Sequence, residues 1–190
     1  MNNIEHTLLS DRSIQIIDVL VSVDAQTIED DINKGILRLS HTEKSPTAIS
    51  NKYFYYTTSQ NQLYAPKNNA TGELEITGKV GDLVRWRASS LSTQFDYQVF
   101  LYHMTGSGVN AYVSLPTLLE TSFKIVVPEQ KGTGLPNHIY PVTFKQRNVY
   151  CQQSTLLSPG RAQYTWYISI YNRWNNLIGY CTHDPFINII

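Results

Sequence analysis

The chain is short of charge, sulfur and long apolar runs, and each shortage closes off a class of function. Charged residues make up 16% of its 190 residues, against about 25% in a typical soluble domain. Fifteen basic and fifteen acidic side chains give a formal net charge of zero, so there is no basic face of the kind that reads phosphate backbones. A nucleic-acid partner is therefore not expected. The opening residues MNNIEHTLLSDRSIQ lack a basic segment followed by an apolar one, and no later stretch approaches the length of a membrane span. The expectation is a soluble, unexported, cytoplasmic protein with no membrane partner.

Two cysteines, Cys151 and Cys181, are too few for the dense disulfide framework of a small secreted domain, and they read as buried or strand-borne thiols. The five histidines, His6, His41, His103, His138 and His183, include no pair spaced as on a helical zinc site, and no CxxC is present. No GxSxG elbow occurs. Gly106-Ser107-Gly108 and Gly132-Thr133-Gly134 read as turns, because neither opens a helix that would cradle phosphate. The expectation is no enzyme, no metal and no cofactor.

What the chain does have is short alternating strands. At Ile17, Val19, Val21 and Val23 the apolar positions recur with period 2, which suits a sheet with one buried side. Similar runs lie at Gly35–Leu39, Tyr53–Thr58, Glu73–Thr77, Leu83–Ala88, Gln98–Met104, Ser122–Val127, Pro141–Lys145, Gln163–Tyr171 and Leu177–Thr182. About ten such segments separated by Gly, Pro, Asn and Ser predict a single-domain, all-β antiparallel sandwich over residues 1–190. One short helix is allowed, over Ile28–Asn33, with Thr27 as its cap, Asp30 at the capping-box position and Gly35 as its stop. Asn61–Gly72 and Pro128–Pro136 read as loops.

Alternation also sorts candidate functional residues. In Leu83–Arg87 it puts Val84 and Trp86 on the core face and Arg85 and Arg87 side by side on the other. Such outward arginines usually pair with carboxylates on the next strand, and otherwise offer a contact to a partner or ligand. In QYTWYISIY, Gln163–Tyr171, the set Tyr164, Trp166, Ile168 and Ile170 belongs to the core, and Thr165, Tyr167, Ser169 and Tyr171 face outward. Tyrosine supplies large contact area at small rotamer cost, so Tyr167 and Tyr171 are candidates for self-association or ligand contact. The chain has thirteen tyrosines, although tyrosine is favoured in any strand. Asp82 after Gly81, and Asp184 before Pro185, read as turn-forming carboxylates.

The stretch GKVGDLVRWRASSLSTQFDYQVFLYHM, Gly78–Met104, together with the ending GYCTHDPFINI, Gly179–Ile189, resembles the bacterial PixA/AidA inclusion-body protein family. Gly81, Asp82, Val84, Arg85, Trp86, Gly179, Tyr180, Asp184 and Pro185 carry the resemblance, which describes strand edges and turns. It implies a protein that accumulates as crystalline inclusions in the bacterial cytoplasm, and some such proteins are controlled by quorum sensing. The founding member is methionine-rich, whereas this chain has two methionines, so a sulfur-storage role gains no support. A neutral chain with outward tyrosines is expected to associate with itself as a homo-oligomer or lattice. The alternative is a lectin-like module binding a carbohydrate or other small ligand.

Overall fold

A computed structural model describes residues 13–128 and 142–190 of the chain. Twelve strands form three sheets among the described residues. The first sheet runs in the order β3 (Phe54–Thr58), β1 (Ile16–Val23), β5 (Leu83–Ser90), β8 (Val142–Thr155) and β7 (Thr117–Pro128). The second is β2 (Thr47–Ala48), β11 (Leu177–His183), β10 (Thr165–Asn172) and β6 (Tyr97–Thr105). The third is β4 (Glu75–Gly78), β12 (Phe186–Ile189) and β9 (Gly160–Gln163).

The core lies between the inner faces of the first two sheets, and alternation puts it there. On β1, Ile17, Val19, Val21 and Val23 are buried, and Ile16 and Leu20 are exposed. Trp86 of β5 meets Trp166 of β10 edge to face at 5.5 Å, and its indole N–H donates to the Tyr164 hydroxyl at 3.2 Å. Such pairs combine large apolar burial with a satisfied polar tip. The Gln152 side chain on β8 reaches across to the Leu101 carbonyl of β6 at 3.0 Å, which fixes the two sheets in register. Ile76, Ala162, Ile187 and Ile189 of the third sheet are buried and extend the same core.

The all-β expectation holds, but the sheets are mixed and not purely antiparallel. β1 pairs in parallel with β5, β11 with β2, and β12 with β4. A parallel pair needs a long crossover, and the segment between β1 and β5, which opens on a helix and holds the three strands β2, β3 and β4, supplies it. That helix, α1, spans Ala25–Asn33 and is capped by Asp24, whose carboxylate accepts from the Thr27 amide at 3.1 Å. The cap therefore sits three residues earlier than Thr27, whose hydroxyl donates back to Asp24 at 2.8 Å. A second helical turn, α2 (Asn61–Tyr64), occupies the expected loop, and Tyr64 is buried beneath it.

Gly35–Leu39 is not a strand. The Ile36 and Leu37 amides are consumed by the Asp31 carbonyl at the end of α1, at 2.8 and 3.1 Å, and only an isolated bridge from Ser40 to Tyr180 follows. The run Gln163–Tyr171 is divided, because the Tyr164 amide leaves the ladder to donate to the Pro185 carbonyl at 3.1 Å. The segment Ser122–Val127 proves to be the middle of a longer strand, and β8 continues well past Lys145. Most of Pro128–Pro136 and the residue Pro141 lie outside the described residues.

Candidate functional site

Asp18 of β1 sits beside Arg85 in the parallel ladder between β1 and β5. Its carboxylate accepts from Arg85 Nε at 3.0 Å and Nη2 at 2.9 Å, and from Arg87 Nη2 at 3.0 Å. The three side chains are about one-third exposed or more. A forked guanidinium–carboxylate pair of this geometry is directional, so both arginines are held flat against the outer face of the first sheet. Their place in the fold is that of cross-strand partners.

The tyrosines of the second sheet do gather. Tyr102 of β6 packs edge to face on Tyr167 of β10 at 6.0 Å and on Tyr180 of β11 at 5.5 Å, and His103 packs on Tyr167 at 5.1 Å. The Tyr102 hydroxyl donates to the Glu43 carbonyl at 2.7 Å. Burial pushes the Tyr102 phenol up to about 12 and raises that of Tyr180, with the neighbouring Tyr171 adding to the latter. The Tyr102 and Tyr180 phenols are therefore neutral at physiological pH. The alternation is not perfect, since Ser169 is buried where an outward side chain is expected. Register shifts flank β10 on both sides, with the extra residue on the neighbouring strand, Tyr102 of β6 and Ile178 of β11.

Sequence reasoning missed the most exposed apolar feature. β8 pairs with β5 only as far as Gln152 opposite Trp86. Beyond that point β7 and β8 continue alone among the described residues, from Leu119 opposite Cys151 to Pro128 opposite Val142, as a two-stranded ribbon. Leu118, Leu119, Phe123, Val126, Phe144 and Tyr150 are all exposed on it or at its base, Phe144 at 63% and Val126 at 57%. The signal was present in TLLETSFKIVV, but a run that reads as an ordinary strand does not tell whether a third strand will cover it. A cleft of about 490 Å³ separates the ribbon from β5 and β6, with Phe95, Phe100, Tyr150, Gln94, Asn148 and Arg147 among its walls.

The remaining motif residues are structural. Asp82, 2% exposed, accepts from the Lys79 amide at 2.9 Å and from the Gln15 amide at 3.1 Å, so it closes one turn and anchors the start of β1. Gly81 supplies the left-handed φ of +88° that this turn needs. At Gly179 a Cβ would lie 2.5 Å from the Leu39 Cβ. Asp184 accepts from Gln163 Nε2 at 2.7 Å, and the Pro185 carbonyl takes the Tyr164 amide. Between them lies His183, buried against Phe54 and Tyr56, with its ring nitrogens 2.8 Å from Asn51 Oδ1 and 3.2 Å from the Tyr56 hydroxyl. Desolvation holds its pKa down at about 4.

Cys151 and Cys181 are both free thiols, and burial drives the Cys181 thiol up to about 12. Among the described residues no three acidic, histidine or cysteine side chains are placed to hold a metal ion, and no helix is long and apolar enough to cross a membrane.

The family model for PixA, inclusion body protein, matches residues 15–189. The chain belongs to the PixA inclusion body protein family. The crystal structure of an inclusion body protein (PixA) from Burkholderia cenocepacia J2315 superposes with a TM-score of 0.71 at 16% identity. The match covers 95% of this chain and 99% of that one, and at that identity the likeness establishes the shared fold. The solution structure of Amebosin aligns over 61% of this chain and 88% of its own at 12% identity, with a TM-score of 0.23 that carries no structural argument. Among curated proteins none matches the sequence.

Proposed function

We propose that this PixA-family chain is a non-enzymatic protein that associates with itself, as a homo-oligomer or an ordered inclusion in the bacterial cytoplasm. The observation that carries the reading is the β7–β8 ribbon, which leaves Phe123, Val126, Phe144 and Tyr150 in solvent although two-stranded ribbons are marginal in water by themselves. Exposed apolar surface of this kind, with Val126 directly across from Phe144, marks a contact site. The tyrosine cluster of Tyr102, Tyr167 and Tyr180 supplies a second, polar-aromatic surface, and the zero net charge removes the repulsion that would keep copies apart. Light scattering from pH 4 to 10 at low and moderate salt tests this. Ordered particles near pH 7 that dissolve on either side are expected, and a monodisperse monomer at high concentration throughout would refute it.

A second reading rests on the cleft between the ribbon and β6. Its volume of about 490 Å³ falls within the range of small-ligand sites, about 300–1,000 Å³. Its mixture of aromatic walls with Gln94, Asn148 and Arg147 suits a carbohydrate or other small polar molecule. A thermal-shift panel of sugars decides it, and no response across the panel would remove it.

A further inference from the structure

Among the described residues, β7 is the edge strand of the five-stranded sheet and is hydrogen-bonded along its length to β8 alone. Its outer row of backbone N–H and C=O groups is therefore a template for another strand. The usual protections of such an edge are a proline, a bulge, a short length, charged side chains, lysine above all, or a covering helix or loop. Among the described residues β7 is twelve residues long, its proline comes only at the end, its pairing with β8 is continuous, and its two charges are Glu120 and Lys124.

The sequence of this edge is complementary to itself when reversed. Around Ser122 the residues run Leu118, Leu119, Glu120, Thr121, then Phe123, Lys124, Ile125, Val126. Building on the self-association proposed above, we infer that β7 pairs antiparallel with β7 of a second copy about a two-fold axis at Ser122. The two five-stranded sheets then join into one. In this register Glu120 lies opposite the partner's Lys124, and Lys124 opposite the partner's Glu120. Leu118 meets the partner's Val126, Leu119 the partner's Ile125, and Thr121 the partner's Phe123. Opposite charges and apolar pairs directly across a ladder stabilise it, and like charges there destabilise it.

A two-fold axis perpendicular to the sheet keeps each face with its own kind, so the register changes only in steps of two. The neighbouring registers put Lys124 opposite Leu118 or Ser122 and leave Glu120 opposite Ser122 or Val126. The charges thus select one alignment. Within its own chain Glu120 accepts a single hydrogen bond, from Asn148 Nδ2 at 3.0 Å, and carboxylate capacity remains for a cation. Lys124 makes no ion pair among the described residues.

With the axis at Ser122, Thr117–Val127 of each copy lie opposite one another, about 35 Å of ladder at the usual rise per residue. The contact is isologous, as a two-fold dimer requires.

The test is charge reversal read by sedimentation velocity on the whole chain. Wild-type protein is expected to dimerise. Lys124→Glu and Glu120→Lys each set like charges opposite one another twice per dimer and are expected to weaken dimerisation at least tenfold. The double variant E120K/K124E restores opposite charges and is expected to recover the dimer, which a merely misfolded protein would not do. Oxidised Ser122→Cys is expected to cross-link to a covalent dimer, because directly opposed residues fall within disulfide reach, whereas Thr121→Cys is not. A wild-type monomer at all concentrations overturns both this pairing and the self-association on which it rests. A wild-type assembly that neither single variant weakens overturns the β7 pairing alone and leaves the association to the tyrosine surface.

Discussion

Lowering the pH from neutral to 4 removes stability through one buried imidazole. His183 is 3% exposed, packed against Phe54 and Tyr56, and its pKa is held at about 4 from an ordinary 6.5 by desolvation. In the folded chain the ring is neutral above pH 4. The unfolded chain takes up the proton already near 6.5, so its binding of protons exceeds that of the fold between the two values. Stability from this residue is therefore complete above pH 6.5 and falls as the pH drops toward 4. At about 1.36 kcal/mol per pH unit, the fall from 6.5 to about 4 amounts to about 3 kcal/mol. With a urea dependence of about 2–3 kcal/mol/M, the midpoint moves down by about 1 M. Urea titrations at half-unit pH steps measure it, alongside His183→Gln, which keeps a polar group toward Asn51 but does not titrate. The variant should start lower at pH 7 and stay flat across the window. Asp31 does not confuse the result, because its carboxyl is lowered by Lys52 and Tyr53 and its loss comes only as the pH falls below the usual carboxylate value of 3.8. If wild type and variant lost equal stability between pH 6.5 and 4, the assignment to His183 would be wrong.

Two further substitutions probe the motif positions. Gly179→Ala drives a Cβ to within 2.5 Å of the Leu39 Cβ, where backbone and strand leave little room to yield. A loss of about 1–3 kcal/mol by denaturant melting is expected, and a loss under 0.5 kcal/mol would show that the contact relaxes freely. Asp18→Asn removes the carboxylate shared by Arg85 and Arg87, but the group is one-third exposed, so the cost is screened to about 1 kcal/mol or less and should shrink further in 0.5 M salt. A cost of several kcal/mol, insensitive to salt, would mean that the arginines depend on Asp18 far more than their exposure suggests.

Period-2 alternation in the sequence located most of the core. Ile17, Val19 and Val21 on β1, Trp86 on β5, and Trp166, Ile168 and Ile170 on β10 are buried as the pattern requires. Alternation carries no information about neighbours, and so the parallel partnership of β1 with β5 was not legible. Nor was the free ribbon, since β7 alternates like a covered strand and only the end of the β5–β8 ladder at Gln152 shows that no other described strand covers it. Asp82 was legible as a turn residue because its local sequence dictates that chemistry. His183 was not, because its pocket is made by Asn51, Phe54 and Tyr56, more than a hundred residues away in the chain.

The third sheet bears on when this fold can exist at all. β12, Phe186–Ile189, is its central strand, bonded to β4 on one side and β9 on the other. Among the described residues neither neighbour has another ladder to join, so both wait for β12, which follows the eleven other described strands in the chain. Contacts across the first sheet are similarly remote, with Asp18 and Arg85 separated by 67 positions, and such topology folds slowly. The β7–β8 hairpin, by contrast, closes locally and leaves the ribosome while the body is still incomplete. The β7 edge is therefore present on the nascent chain before the domain that bears it.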